Sequence, residues 1–310
     1  MKVYANFPHE LPAAPRYSVV SVGVFDGLHR GHQRILAAAL EGAPAGAVAV
    51  VTFDPHPRAV LGPPKRARLL SPLPERLELL GSYPLGAVAV LRFDQQLARM
   101  SYVDFVRDFL CTGLGARRLV LGYNVSLGHE RQGNQERLRE LGGVLGFEVR
   151  SVPAFEIGGA PVSSTRIRHL LDAGNVEAAA ELLGRPYALQ GTVVRGSGRG
   201  RAIGIPTANL QLSAEKLVPA RGVYAARVGI EGRLHAGALN IGVVPTFVEE
   251  GTQSVEVHIL DFDGDLYGAG LRLECIARLR DERKFSGPEA LVAQIRQDIA
   301  QARAACAQLD

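Results

Sequence analysis

The sequence has little cysteine and no long apolar run, and both absences narrow the class of protein. Its three cysteines, Cys111, Cys275 and Cys306, are far apart and form no C-x-x-C pair. This usage favours a reducing cytoplasm and argues against a structural zinc site. The longest apolar runs, such as 47–53, are much shorter than the roughly 20 residues of a membrane helix, and the first residues lack the apolar segment of a signal peptide. We therefore expect a cytoplasmic protein without a membrane partner.

Charge of one sign is not concentrated anywhere in the chain. The 310 residues include 35 Lys and Arg against 31 Asp and Glu, a formal net charge of +4. No basic block interleaved with aromatic residues accompanies this charge, so nucleic acid is not expected as a partner. Several arginines instead adjoin glycine-rich turns, which suits small phosphorylated ligands. The length favours two domains, and an oligomeric state cannot be read from the sequence.

Residues 17–183 alternate between short β-rich runs and amphipathic helical patterns. Strands are predicted at 17–22, 47–53, 87–91, 118–121 and 148–152, and helices at 32–40, 74–80, 102–110, 135–141, 164–171 and 176–183. This alternation predicts an α/β fold in which helices cover both faces of a parallel sheet. Ligands of such sheets bind beyond the carboxyl ends of the strands.

The pattern changes after Gly184-Arg185-Pro186, which interrupts the helical periodicity. Strands are then predicted at 189–194, 222–230, 234–240, 254–260 and 271–279, with hairpin-type turns at Glu231-Gly232 and Asp263-Gly264. These short strands predict a small antiparallel barrel or sandwich, followed by an amphipathic helix over 288–308. We place the boundary near residue 185, which gives domains of 1–185 and 186–310.

A glycine-rich turn follows the strand predicted at 17–22. It reads Gly23-Val24-Phe25-Asp26-Gly27-Leu28-His29-Arg30-Gly31-His32 and leads into a helix. The N–H groups and the dipole of a helix N-terminus favour an anion there, and glycine lets the backbone approach it closely. We interpret the two histidines as phosphate-binding; zinc ligands and purely structural histidines are the alternatives.

A second anion-binding segment is indicated at 162–168. Two serines, a threonine and an arginine open a helix there, so hydroxyls, N–H groups and a guanidinium converge on one point. Taken by itself, this segment is better explained by an ordinary Ser/Thr N-cap. Its combination with the glycine-rich turn favours the anion site.

The predicted barrel contains another dense motif, from Gly196 to Asn209. Its glycine loop can close over phosphates, although it is not a Walker P-loop, and a flexible hairpin loop is the alternative. Thr207 and Asn209 add hydroxyl and amide oxygens, which are hard ligands suited to Mg²⁺. Further on, Ser254-x-Glu256-x-His258 places three polar groups on one face of a strand, which either meets solvent or lines a site.

Three motifs of the first half resemble the nucleotidyltransferase half of bacterial bifunctional riboflavin kinase/FAD synthetases. They are Gly23 to His32, Thr52-Phe53-Asp54-Pro55-His56-Pro57 and Ser163-Ser164-Thr165-x-Ile167-Arg168. The resemblance implies a Rossmann-like adenylyltransferase domain joined to a riboflavin kinase barrel with a C-terminal helix. It also implies that the phosphate of FMN attacks the α-phosphorus of ATP directly and releases pyrophosphate, which needs positioning and charge neutralisation more than covalent chemistry.

The resemblance assigns residues to both sites. At the adenylyltransferase site, His29 and His32 are implied as catalytic, and ATP binding is implied for Gly23, Phe25, Asp26, Gly31, Asn124, Ser164, Thr165 and Arg168. In the barrel, Glu256 is implied as the base on the ribityl 5′-hydroxyl, and Thr207 and Asn209 as ligands of Mg²⁺. ATP and flavin binding in the barrel is implied for Gly198, Arg201, Gly204, Pro206, Thr207, Asn209 and Arg280. ATP is thus a co-substrate, and FMN and FAD are flavin ligands and products.

One segment departs from the family pattern Gly-x-(Asp/Asn)-Phe-x-Phe-Gly. It reads Gly122-Tyr123-Asn124-Val125-Ser126-Leu127-Gly128, in which Asn124 matches but Val125 and Leu127 replace both aromatic residues. A riboflavin kinase whose adenylyltransferase half is weakened or inactive is therefore an alternative. A flavin- or nucleotide-sensing binding protein is another, although a pure sensor needs no base beside Mg²⁺.

Overall fold

The computed structural model describes residues 1–10, 17–62, 68–196, 198, 200, 203–243 and 253–307. They form two compact units, Met1–Ser164 and Thr165–Asp310, and each is described by itself. The boundary near residue 185 stays a prediction, and the helical residues that follow Ser164 group with the second unit.

The first unit is built on a six-stranded sheet. Its strands are β1 (Lys2–Phe7), β2 (Val19–Val22), β3 (Val48–Asp54), β4 (Ala87–Arg92), β5 (Arg118–Gly122) and β6 (Glu148–Val152). They lie in the order β1-β4-β3-β2-β5-β6, and all neighbours are parallel. The parallel sheet is therefore confirmed. The strand order reverses beside β2, which lies between β3 and β5, and such a switch point is where sheets of this kind bind ligands.

Helices cover both faces of this sheet. They are α1 (Arg30–Leu40), α2 (Pro57–Leu61), α3 (Leu73–Gly81), α4 (Gln95–Ala98), α5 (Tyr102–Asp104), which continues as a π-helix over Phe105–Leu114, and α6 (Gln135–Leu145). Successive residues of β3 show the two-sided burial: Ala49 and Val51 belong to one core cluster, and Val48 and Val50 to the other. A 3-10 turn (His129–Arg131) and the two short strands β7 (Glu156–Ile157) and β8 (Ala160–Pro161) complete the unit.

The second unit is a closed antiparallel barrel with helices at both ends of its sequence. Its elements are α7 (Ser164–Asp172, whose first residue belongs to the first unit), α8 (Val176–Leu183), β9 (Tyr187–Val194), β10 (Ala208–Leu212), β11 (Gly222–Ile230), β12 (Arg233–Val243), β13 (Gln253–Ile259), β14 (Gly270–Arg280) and α9 (Pro288–Ala307). The barrel closes in the order β10-β13-β12-β11-β14-β9. The choice between barrel and sandwich is thereby decided.

Alternation along the barrel strands separates a buried face from a polar one. Leu239 of β12 and Val257 of β13 are fully buried, whereas Asn240 and Glu256, next to them in sequence, are partly exposed. On the outside of the strands, α9 buries Ala302 and Cys306 in a small cluster with Ala225. The polar face of β12 and β13 is thus available for a site.

The two hairpin-type turns differ in the structure. Glu231 and Gly232 join β11 to β12 with φ of 48° and 78°, so the tight turn is confirmed. Asp263-Gly264 lies in a connection that runs from 260 to 269 between β13 and β14, which are not neighbours in the barrel, so the hairpin turn predicted there is wrong. That longer connection lines the cavity described below.

Candidate active sites

The glycine-rich turn between β2 and α1 lies at the switch point of the parallel sheet. Its backbone begins where Gly23 N–H donates to Val51 O of the neighbouring strand at 3.0 Å. α1 begins at Arg30, and His29 is its N-cap residue. The structure therefore places the turn where the sequence predicted it, at the N-terminus of a helix and at the carboxyl end of the sheet.

His29 and His32 are in direct contact. Their rings stack with centroids 3.6 Å apart and planes 16° from parallel, and His29 Nδ1 accepts a hydrogen bond from His32 N–H at 3.3 Å. Gly31 permits this arrangement, because a Cβ there would lie only 3.1 Å from the His29 ring. The two histidines thus form one compact donor group at the start of the helix.

The backbone of this turn is strained, a feature that could not be predicted from the sequence. Phe25 and Leu28 have φ of 54° and 38°, in the left-handed region that favours glycine, and Gly27 has φ of 79°. Such residues cost on the order of 1–3 kcal/mol each and persist only where their surroundings hold them. Phe25 and Leu28 are held by burial, with 1% and 2% of their surface exposed. This strain at a helix N-terminus supports a functional role.

Asp26 fastens the turn to a neighbouring segment. Its buried carboxylate accepts hydrogen bonds from Ser71 N–H at 2.8 Å and Leu70 N–H at 3.2 Å. Ser71 Oγ also accepts from Gly27 N–H at 2.7 Å. The contact of Asp26 with ATP stays a prediction, and these bonds give its carboxylate a positioning role. Sequence reasoning missed Ser71, which no motif marks.

The segment that departs from the family pattern follows β5 on the other side of the switch point. Leu127 is buried in the core cluster, and Val125 packs against the same cluster. Asn124 and Tyr123 are exposed there, and Asn124 O accepts a hydrogen bond from Arg131 Nη2 at 3.0 Å. Leu127 therefore serves the packing of this unit, and the role of Asn124 in ATP binding stays a prediction.

The second predicted anion-binding segment begins α7. Ser164 Oγ donates a hydrogen bond to Asp26 O at 3.0 Å, so this serine touches the glycine-rich turn. Thr165 and Arg168 lie on the same helix, within its first five residues. The contact of Ser164 accords with the pairing of the two segments expected from the sequence, and the roles of Thr165 and Arg168 stay predictions.

The barrel site is built by strand register. Asn209 of β10 lies opposite Glu256 of β13, and Glu256 lies opposite Asn240 of β12. Directly paired residues share a face of the sheet, so these three side chains form a polar row. Thr207 Oγ1 lies 3.4 Å from Glu256 Oε2. The structure therefore brings Thr207, Asn209 and Glu256 together and adds Asn240, for which the Asn240-Ile241-Gly242 motif was the available signal.

Two glycines pack directly on the predicted metal ligands. A Cβ at Gly196 would lie 2.2 Å from Asn209 Nδ2, and one at Gly200 would lie 3.4 Å from Thr207 Oγ1 and 2.3 Å from Ile205 O. Gly198 and Gly204 have φ of 71° and 75°, which glycine adopts without strain. Arg201, also predicted here, lies outside the described residues.

A cavity of about 620 Å³ adjoins Thr207. Pro206, Thr207 and the 260–269 connection line it, and that connection contributes Phe262 and Tyr267. Pro206 O is hydrogen-bonded to His258 Nδ1 at 2.7 Å, which links the wall of the cavity to the strand of Glu256. Its size and its combination of aromatic and polar groups are typical of small-molecule sites.

Arg280 is fixed by the C-terminal helix. Its guanidinium donates to both carboxylate oxygens of Asp298, at 2.7–3.2 Å, and Asp298 is almost completely buried. The guanidinium carbon also lies 5.7 Å from the ring centroid of Phe285. Arg280 is therefore held rigidly beside the segment that follows β14, and its contact with ATP or flavin stays a prediction.

Together these features define an enzyme with two phosphorus-transfer sites, one on a parallel sheet and one on a barrel. Comparison with known families assigns each part. A family model described as FAD synthetase matches residues 11–166, and one described as riboflavin kinase matches residues 183–306. The chain belongs to the bifunctional riboflavin kinase/FMN adenylyltransferases, and its activities are those two. The expected bifunctional enzyme is therefore confirmed over the kinase-only and sensor alternatives.

Curated relatives with that name cover nearly the whole chain. The protein of Pseudomonas fluorescens is 39% identical over 301 residues, 96% of each chain. The one from Listeria monocytogenes is 36% identical and aligns over 94% of this chain and 93% of its own. The one from Bacillus subtilis is 35% identical over 96% of this chain and 95% of its own.

A solved structure shares the fold over its full length. It is a crystal structure described as a macrolide-efflux protein from Streptococcus pneumoniae, with a TM-score of 0.89, 31% identity and coverage of 98% of this chain and 99% of its own. Among the residues described in the present structure, no helix has both the length and the apolarity needed to cross a membrane. The described residues also contain no group of three His, Cys, Asp or Glu side chains arranged to hold a metal ion.

Proposed function

We propose that the two reactions run in sequence, with FMN made in the barrel and consumed at the parallel sheet. The barrel transfers the γ-phosphoryl group of ATP to the 5′-hydroxyl of riboflavin. The sheet unit then joins the phosphate of FMN to the α-phosphorus of a second ATP, and pyrophosphate leaves. The polar row on β10, β13 and β12 supports the first assignment, and the stacked histidines at the start of α1 support the second.

Glu256 is proposed as the general base of the kinase reaction. Its carboxylate takes the proton of the 5′-hydroxyl as the oxygen attacks the γ-phosphorus, and ADP leaves. The observation behind this role is the juxtaposition of Glu256 with Thr207 Oγ1, 3.4 Å away, and with Asn209 across the strand pair. General-base assistance is worth roughly 10²–10⁴-fold in rate.

Thr207 and Asn209 are proposed to hold Mg²⁺ together with ATP. Hydroxyl and amide oxygens are hard donors that suit this ion, which otherwise keeps water and substrate phosphates as ligands. The hydroxyl of Thr207 and the amide oxygen of Asn209 therefore suit Mg²⁺ without a dedicated cage of carboxylates. When bound, the ion would offset the negative charge of the phosphates.

The cavity beside Thr207 is proposed to receive the nucleoside of ATP. It adjoins a proposed Mg²⁺ ligand, and Phe262 and Tyr267 offer aromatic surface to a base. Arg280, held by Asp298, is proposed to stabilise the flavin side of the same site.

At the sheet unit, His29 and His32 are proposed to bind the phosphates of the second ATP. Ring N–H groups and the N-terminus of α1 donate to the transferred phosphate and to the leaving pyrophosphate. Gly23, Gly31 and the strained turn keep this group in place, and Ser164 is proposed to bind the same phosphates. For Thr165 and Arg168, which group with the second unit, ATP binding stays a prediction. Charge neutralisation and positioning account for the catalysis, with no covalent enzyme intermediate.

We also infer a reducing compartment, the cytoplasm. All three cysteines are free in the structure, and Cys275 and Cys306 are buried. Free thiols without disulfides are the usual pattern of cytoplasmic proteins. The small-molecule substrates proposed here are also consistent with that compartment.

The assignment is tested by measuring the two half-reactions separately in two variants. Glu256→Gln should lose FMN formation while still converting added FMN to FAD, and His32→Ala should do the opposite. Glu289→Gln and His9→Ala remove an exposed glutamate and an exposed histidine and serve as controls that should retain both activities. Loss of both activities in Glu256→Gln, or full FAD formation by His32→Ala, would contradict the assignment.

A further inference from the structure

Arg76 of α3 is an arginine with none of its surface exposed. Arginine is almost never fully buried unless its donors are bonded. Its helix is predicted from the sequence as an ordinary amphipathic segment, and neither the family motifs nor the proposed catalytic roles include this residue. The hydrogen bonds of its guanidinium therefore indicate its role.

The guanidinium bonds to the glycine-rich turn and to the end of β3. Arg76 Nη1 donates to Val24 O at 2.9 Å, to Thr52 Oγ1 at 2.9 Å and to Phe53 O at 3.1 Å. Thr52 Oγ1 donates in turn to Val24 O at 2.9 Å. Val24 O therefore accepts two side-chain hydrogen bonds from groups that are themselves bonded to each other.

Val24 is the residue at which the turn leaves the sheet. The residue before it is still bonded to β3, through Gly23 N–H and Val51 O, and the residue after it, Phe25, already has the left-handed φ of 54°. Fixing the Val24 carbonyl fixes the peptide plane between Val24 and Phe25. The direction in which the chain continues towards His29 depends on that plane.

A second set of bonds holds the turn further along, but it does not replace the first. Asp26 and Gly27 are tied to Ser71, whereas the entry to the turn is tied to Thr52 and Arg76. A strained turn needs support on both sides of its left-handed residues, since such conformations persist only when over-determined. Removing either set should let the turn relax.

The geometry points to Arg76 as a positioning residue of the adenylyl-transfer site, acting with Thr52 through the Val24 carbonyl. This inference rests on the proposed role of His29 and His32. All three bonds come from Nη1 at the end of the side chain, and the shorter side chain of lysine does not bring its ammonium to that position. The bonds keep the turn and the two histidines preorganised for the phosphates before ATP binds.

Thr52 offers the sharper test, because it can be changed without altering the charge of the core. Thr52→Val keeps the shape and removes the hydroxyl, and Thr52→Ser keeps the hydroxyl. We expect Thr52→Val to lower kcat for FAD formation from FMN on the order of tenfold, and Arg76→Lys on the order of a hundredfold. Thr52→Ser should restore most of the activity. Binding of ATP, measured by calorimetry, should weaken in the same order.

The design separates positioning from folding. Each variant is assayed well below its midpoint of thermal unfolding, and its riboflavin kinase activity, which belongs to the other unit, should equal that of the unchanged protein. Arg107→Lys, at an exposed arginine paired with Asp104 and Asp108, is the matched control and should leave both activities unchanged.

Two outcomes overturn the inference. One is wild-type FAD formation and ATP binding by Thr52→Val and Arg76→Lys, while His32→Ala remains impaired. The other is an equal loss in Thr52→Ser and Thr52→Val, since the hydroxyl would then have no part. If His32→Ala retained full activity, the proposed site itself would fail, and that result is distinct from either of these.

Discussion

Gly196 lies where no side chain fits beside Asn209. A Cβ at this position would approach Asn209 Nδ2 to 2.2 Å, so Gly196→Ala must displace the proposed Mg²⁺ ligand. We expect the riboflavin kinase rate to fall on the order of tenfold to a hundredfold, with FAD formation from added FMN unchanged. The measurement is the rate of each half-reaction at saturating ATP.

The matched control for that change is Gly143→Ala. Gly143 lies within α6, and a Cβ there would meet no atom within 4 Å, so alanine should be tolerated or slightly stabilising. An undiminished kinase rate in Gly196→Ala would show that Asn209 does not need its present position.

The buried thiol of Cys275 should affect the free energy of unfolding at alkaline pH. Burial raises the pKa of this thiol to about 12, from an ordinary value of 9.0. Between these values the unfolded chain has lost the proton that the folded chain retains, so the thiol lowers the free energy of unfolding as pH rises. Cys275→Ala removes this effect. The variant should be less stable near neutrality because of the cavity, but lose less stability between pH 9 and 12.

Denaturant unfolding at several alkaline pH values measures this difference. The pKa of Tyr224 is also raised, to about 12, mainly by burial and to a smaller extent by Cys275; the part that is due to burial is shared by both proteins and cancels in the comparison. If the free energy of unfolding fell equally with pH in both proteins, the raised pKa of the Cys275 thiol could not be the cause of the loss.

At the scale of elements, α9 holds the arginine that is proposed for the flavin side of the kinase site. Asp298 on this helix holds Arg280 through both carboxylate oxygens and accepts from Gln294 Nε2 at 2.8 Å. Gln294 Oε1 accepts from Arg283, whose guanidinium carbon lies 4.8 Å from the Phe285 ring centroid. One polar stretch of the helix thus fixes Arg280, at the end of β14, and Arg283 in the segment that follows.

Asp298→Asn should loosen that segment while keeping the shape of the side chain. Because charge-assisted hydrogen bonds are replaced by neutral ones, we expect KM for riboflavin in the kinase reaction to rise on the order of tenfold. Arg303→Ala on the same helix breaks an exposed pair with Asp261 and should leave KM unchanged. Equal KM values in Asp298→Asn and the unchanged protein would remove α9 from the site.

The sequence predicted the elements that carry strong local patterns. The buried strand at 48–54, the edge strand at 148–152 and helix α8 lie within two residues of their expected bounds. β1 was missed, because it is an edge strand whose pairing with β4 connects distant residues. β10 was read as part of a motif, because its five residues directly follow Thr207 and its pairing with β9 and β13 joins separate segments of the chain.

The sites were predictable as motifs but not as geometry. The motifs placed His29, His32, Thr207 and Glu256, and the structure brings the members of each pair together. No local pattern shows that Phe25 and Leu28 adopt positive φ, or that Arg76 is buried, because both depend on contacts between distant segments. Leu127 illustrates the same limit: the family pattern has an aromatic residue at its position, and only the structure shows that its side chain belongs to the core.

At the scale of the whole molecule, one chain contains both steps of a short reaction sequence. The product of the barrel reaction, FMN, is the substrate of the sheet reaction, and both consume ATP. Each unit has its own core, and a separate site is proposed for each reaction. The central claim is therefore that both sites are active in this chain, including the one flanked by Val125 and Leu127.

The most direct test is to incubate the purified protein with ATP, Mg²⁺ and riboflavin and to separate the flavins by chromatography over time. The account predicts that FMN appears first and is then converted to FAD, with pyrophosphate released in step with FAD. FMN that accumulates without any FAD would contradict it.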